Sequence, residues 1–212
     1  MKLLTNLLLL LFIGSSCSSS KLVRDWKSPD AVNFEANKVL VIGLAQDEAL
    51  RRQFEEQLTT KLEANDVIAV RSIDFFEHVF SDERKTEEEL NAIEKQLLEA
   101  GFDAILFSKI IGSEDKVSLM QAIRNFDNSF NNFREDYYQS QDVINFEDDY
   151  QAYTLYHAET ALYCICPEKE RELLWKGNID VVEAQNRKRS IRDYVKTLIA
   201  TLDDRQLLIV DL

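Results

Sequence analysis

Two histidines, three cysteines and one basic cluster are the residues whose types and spacing could do chemistry in this chain. His157 and Glu159 stand two apart, so on a strand they share a face. Imidazole and carboxylate make half a metal site, which Glu147, Asp148 or Asp149 would have to complete; the plainer reading is a satisfied structural pair. Cys164 and Cys166 share the same spacing. Same-face Cα atoms on a strand lie roughly 6.6 Å apart with parallel Cβ vectors, an awkward span for a disulfide. Two buried thiols acting as small hydrophobes are therefore expected. Arg187, Lys188, Arg189 and Arg192 open a helical run, the end at which the macrodipole disfavours positive charge. An anionic lipid head group or an acidic partner would use them, and a solvated turn offsetting nearby acids would not. Asp74, Ser108 and Lys109 fall near predicted strand ends, where open α/β sheets place their sites, but no base or oxyanion donor can be assigned to them. G-x-S-x-G, phosphate-loop, H-E-x-x-H and C-x-x-C patterns are all missing from the sequence. No catalytic residue, metal or cofactor is expected.

The third cysteine has a different setting. Lys2 precedes an apolar run over residues 3–13, about the length of a signal h-region and short of the roughly 20 residues a spanning helix needs. Gly14, Ser15 and Ser16 then lead into Cys17. Small side chains suit a signal peptidase, and a cysteine just after the cut is where bacterial lipoproteins are acylated. The segment resembles a lipoprotein signal over residues 1–16, with Gly14 where that motif usually has an aliphatic residue. Cys17 is the expected lipidation site, carrying palmitate-type chains, and the alternative is an ordinary secretory signal with an accidental cysteine. Residues 17–37 are polar with Pro29, and are expected to be a tether. Fully extended, such a segment would reach roughly 65 Å and hold a domain clear of a bilayer. Trp26 and Phe34 within it are expected to dock on the domain.

Residues 38–212 must then supply the fold. The 212-residue chain is 45% hydrophobic and 30% charged, too apolar for disorder, and its formal net charge of −13 argues against nucleic acid. Val39–Leu44 is continuously apolar, as a central strand covered on both faces would be. Asp47 can cap a helix bearing Leu50, Phe54, Leu58 and Leu62. A short strand over 67–70 follows. Thr86 and Glu89 form a capping-box pattern ahead of Leu90, Ile93 and Leu97, and Gly101 ends that helix. A third strand spans 104–111. Strands 153–166 and 172–182 flank a charged turn and read as a hairpin. Ile191, Tyr194, Val195, Leu198, Ile199 and Leu202 mark a final helix. The expected fold is α/β: a single two-layer domain with a mixed five-stranded sheet, βαβαβ then hairpin and helix, in strand order 2-1-3-4-5.

Residues 117–150 fit neither template. Leu119, Ile123, Phe126, Phe130, Phe133 and Tyr137 recur at helical spacing among asparagines that disfavour helix. The stripe packs on the sheet as core, or forms a flap or partner surface. Phe130, Phe133 and Tyr137, with Arg187, Lys188 and Arg189, are the candidate partner-binding residues.

The runs KVLVIGLA, EAGFDAIL, HAETALY and LLWKG resemble a family of small lipoproteins of Gram-negative envelopes whose function is largely unassigned. More distantly, the βαβαβ start is similar to the N-terminal domain of the Tol-system propeller protein. It is similar also to periplasmic domains of lipoproteins that activate peptidoglycan synthases or build the curli secretion pore. The resemblance implies a protein anchored by lipid in the cell envelope, at the outer membrane facing the periplasm, with an envelope protein or polymer as partner. A non-catalytic binding or scaffold module is the first expectation. The second is an envelope hydrolase or small-ligand carrier with a site at the strand C-termini.

Overall fold

A computed structural model of the chain describes residues 20–31, 34–45, 47–76, 85–112, 155–165, 172–182 and 187–208. The signal segment 1–16, Cys17, Cys166 and the whole stretch 117–150, with Phe130, Phe133 and Tyr137, lie outside them.

Every residue of β2 (Val39–Leu44) is buried, as a run of branched and apolar side chains between two helical layers should be. It passes into α1 (Glu48–Glu63), whose first turn is held by the Asp47 carboxylate accepting from the N–H groups of Ala49 and Leu50. α1 buries Phe54, Leu58 and Leu62, each contributing about 1.5–3 kcal/mol by leaving water. β3 (Ala69–Arg71) and the single turn α2 (Ser72–Phe75) follow. α3 (Glu87–Glu99) starts in a capping box between Thr86 and Glu89 and buries Leu90, Ile93 and Leu97. Gly101, at φ +79°, lets the Phe102 N–H reach back to the Leu97 carbonyl at 3.0 Å and close the helix. β4 (Ala104–Gly112), β5 (Leu155–Cys164), β6 (Glu172–Val182) and α4 (Arg187–Asp204) complete this part of the chain.

Together with β1 (Ser20–Lys27), the described residues form a sheet of six strands in the order β1-β6-β5-β4-β2-β3. β2 pairs in parallel with β3 and β4, and the β4–β5, β5–β6 and β6–β1 pairs are antiparallel. This corrects the expected five-stranded sheet, because β1, from the stretch expected to be a tether, adds a sixth strand at the edge beside β6. Asp25 on β1 accepts from the indole of the fully buried Trp175 at 3.0 Å and from Arg205 at 2.7 and 2.8 Å, tying the edge strand to β6 and to the end of α4. Phe34 packs on the core and bonds through its N–H and carbonyl to Gln206 and Leu208, while Trp26 stays 37% exposed.

The expected two-layer arrangement is corrected as well. One face of the sheet packs Val39, Val41, Ala104, Leu106 and Leu162 against α1 and α4. The other packs Leu40, Ile42, Ile105 and Phe107 against α3. A strand that is apolar at every position has two faces to bury, so a single helical layer cannot satisfy it.

A candidate binding cavity at the strand ends

β2 and β4 run parallel and finish at the same end of the sheet, where β6, running in the same direction, also finishes and where β1 and β5 begin. Both long helices of one face therefore start there: α1 directly after β2, and α4 shortly after β6. Between their first turns lies a cavity of about 200 Å³. Its walls are mostly apolar: Leu44, Leu50 and Phe54 from the α1 side, Ile191 and Tyr194 from α4, and Ile110, Tyr156, Ala158 and Val181 from the strands. Asp47 and Arg187, the most exposed side chains of its lining, mark the mouth and meet at 2.7 Å.

Polar groups on the wall are engaged. The Ser108 hydroxyl bonds that of Thr160 at 2.7 Å, and Thr160 in turn meets the Tyr194 phenol in a very short hydrogen bond. Burial pushes the Tyr194 phenol up to about 12, so it stays protonated across the physiological range. Arg51 reaches from the wall to Glu55 at 3.0 Å and to Ser72 at 2.7 Å. Glu55 is fully buried and accepts from four donors: Arg51, the Ser72 hydroxyl, and the N–H groups of Gly43 and Ile73. Gly43 is glycine for reasons of space: a Cβ there would come within 2.7 Å of the Phe54 ring. At the rim, the Leu50 N–H, with Ala49 N–H and the Arg187 guanidinium, holds the Asp47 carboxyl below the usual carboxylate range.

No protein-family model matches the chain, and no curated protein does. Among solved structures it is similar to PelC. That protein, from Paraburkholderia phytofirmans, is described as a dodecamer in space group P6. It matches at 9% identity and TM-score 0.44 over 89% of this chain and 98% of that one. A variant of the same dodecamer in space group C2 matches at 9% and 0.45 over 91% and 99%. Lipoprotein GNA1162 from Neisseria meningitidis matches at 12% and 0.39 over 80% and 95%.

Several expected site residues meet at the cavity and others do not. Ser108 lies on its wall and Arg187 on its rim, while Lys109 borders it along β4 with its side chain turned to the other face. Lys188 and Arg189 follow in the exposed first turn of α4. Asp74 is elsewhere, paired with Arg71 at 2.6 Å. On the opposite face of the sheet, Glu159 is nearly fully buried between Lys109 and Lys176, at 3.1 and 3.3 Å. His157 shares that face and bonds Asp180 at 2.5 Å through Nδ1. His157 and Glu159 thus have separate partners. Among the described residues no group of three or more His, Cys, Asp or Glu could hold a metal ion.

Cys164 is disulfide-bonded, which corrects the expectation of a free thiol. The strand-spacing argument required both cysteines on one strand, and β5 ends at Cys164. Asp47, Arg51, Phe54 and Tyr194 are among the lining residues that sequence reasoning did not assign to a site. Asp47 and Phe54 carried a signal only as cap and core, and nothing in the sequence brings α1 beside α4.

Proposed function

We propose that this chain is a lipid-anchored cell-envelope protein, fixed through Cys17, whose domain acts as a non-catalytic binding module. The end of the sheet that carries the cavity is its binding face. One observation carries the reading: the wall is apolar, and its polar groups are held by one another or by the fold. Ser108 is bonded to Thr160 and Tyr194 rather than to a base, Asp47 serves as a cap, and Arg51 is committed to Glu55. A surface of that kind takes up apolar material; it has no prepared nucleophile with which to cut a bond. Among the described residues no helix is long and apolar enough to cross a membrane. The sequence resemblance to small Gram-negative envelope lipoproteins supports the same compartment, with the outer membrane facing the periplasm as the finer proposal.

The cavity also favours a second reading, a carrier of small apolar ligands, over a hydrolase. Replacing Cys17 by Ala tests the anchor: the variant should leave the membrane fraction while its thermal unfolding stays unchanged. Normal processing with full membrane retention would overturn the reading.

A further inference from the structure

We infer that the cavity end of the domain lies flat on an anionic lipid surface, with head groups against the first turns of α4 and part of an acyl chain in the cavity. The inference rests on the lipid anchor proposed above and names what that anchored face touches.

Distance is the first argument. β1 begins at Ser20, three residues after Cys17, so a fully extended link spans roughly 11 Å and not the length of a long tether. Ser20 lies beside Val181, a wall residue of the cavity, and its hydroxyl donates to the Asp193 carbonyl of α4 at 2.7 Å. A lipid on Cys17 therefore emerges at the cavity end of the sheet. At the other end of β1 stands Trp26, opposite Lys176 on β6.

Charge is the second. The chain carries −13 overall, so an anionic surface repels most of it. Arg187, Lys188, Arg189 and Arg192 cluster on the first turns of α4, and the side chains of Arg187, Arg189 and Arg192 are 61%, 58% and 63% exposed. Asp193, the acid beside Arg189 and Arg192, stands 3.9 Å from each and is itself mostly buried, which leaves the outward donors of both guanidiniums directed to solvent. Surface charges act over about 8 Å at physiological salt, a range comparable with the roughly 11 Å that the link spans at full extension. The cluster therefore orients a domain that the anchor already holds.

Apolar surface is the third. Val182, next to the wall residue Val181, is 48% exposed at this end, and the cavity beside it is lined mostly by hydrocarbon. The space takes part of one acyl chain. The chain's own residues 113–154, which leave β4 and return to β5 at this end, are the competing occupant.

The lipidated full chain, reconstituted in phosphatidylglycerol vesicles with brominated acyl chains, gives the test. A Val182→Trp reporter should lose about half or more of its added emission, since apolar faces at an interface sit within reach of the acyl boundary. The wild-type emission, from Trp26 and Trp175, should hardly change. An unquenched reporter, or equal quenching of the wild type, overturns the orientation. In the unlipidated Cys17→Ala protein, vesicle binding at low salt should need phosphatidylglycerol and fall about ten-fold with Arg187→Glu, Arg189→Glu and Arg192→Glu combined. Binding that ignores the reversal overturns the head-group contact. A phospholipid adduct retained by that protein through gel filtration, and lost in Ala158→Phe, supports acyl occupancy; no adduct, as when residues 113–154 fill the cavity, overturns it. Because these last arms use unlipidated protein, they stand or fall separately from the anchor.

Discussion

Asp47 and Arg187 join the starts of the two long helices across the mouth of the cavity. Oδ1 of Asp47 accepts from the N–H groups of Ala49 and Leu50, and Oδ2 accepts from Arg187 Nη1 at 2.7 Å. One carboxylate thus caps α1 and offsets the positive charge at the start of α4, the place where the macrodipole makes that charge unfavourable. The pair is exposed, so its ion-pair part is worth little alone. Its consequence is geometric: it bridges the starts of α1 and α4 at the mouth of the cavity.

Asp47→Ala should cost about 1 kcal/mol in urea unfolding through loss of the cap. Asp47→Asn, which keeps a capping oxygen, should cost less. The sign with pH follows from the carboxyl being held below its ordinary value in the folded state. Its contribution is present above the unfolded value near 3.8 and fades as pH falls through the lower folded value. The gap between wild type and Asp47→Ala should therefore narrow in strong acid to about that between Asp47→Asn and Asp47→Ala, and a constant gap down to low pH would contradict this account.

Tyr194 gives the opposite sign. Its phenol is raised from 10.0 to about 12 by burial, so between those values the unfolded chain loses a proton that the folded one keeps. The wild type should lose stability through this interval, while Tyr194→Phe escapes that component. At pH 7 the variant should be less stable by about 1 kcal/mol, the net worth of a typical hydrogen bond. At pH 11 the gap should narrow or reverse, which denaturant melts at the two pH values would measure.

Glu55 holds the cavity floor through four donors from α1, β2 and the β3–α2 junction. Glu55→Ala strands Arg51 and two backbone N–H groups in a buried place and should cost about 3–5 kcal/mol. Gly43→Ala pushes a methyl against Phe54 and should cost about 1–3 kcal/mol by overpacking. Thermal melts of both, ranked in that order, check the claim, and equal small losses would contradict it.

What the sequence disclosed follows from how local each signal is. The apolar run of β2, the Thr86–Glu89 capping box and the α4 stripe depend on neighbours within a few residues, and all three are present. β1 was hidden because nothing local announces it. Its eight residues are mixed in polarity, and its partner β6 lies about 150 positions away. The Trp175–Asp25–Arg205 link that secures it exists only once the sheet has formed. The cavity was hidden for the same reason. Asp47 looked like a cap and Arg187 like misplaced charge, and their meeting depends on parallel strands that start both helices at one end.

Distance bears on which cysteine can reach the disulfide-bonded Cys164. The other cysteines, Cys17 and Cys166, lie outside the described residues. Ser20 sits beside Val181, and Val181 beside Tyr156, at the cavity end of the sheet. Cys164 is eight residues farther along β5, roughly 26 Å away at strand rise. Three residues from Ser20 back to Cys17 reach roughly 11 Å, which falls well short. A bond from Cys164 to Cys17 is out of reach, so Cys166 is the expected partner, which would leave Cys17 free for the proposed thioether. Alkylation of unreduced protein should accordingly leave Cys164 and Cys166 unmodified, with a two-proton mass deficit in the peptide that holds both. Cys164→Ser should cost about 2 kcal/mol or less, since so short a loop constrains the unfolded chain little. Peptide mapping that finds Cys17 joined to Cys164 would contradict both the β1 register and the anchor, whereas two alkylated thiols would contradict the disulfide alone.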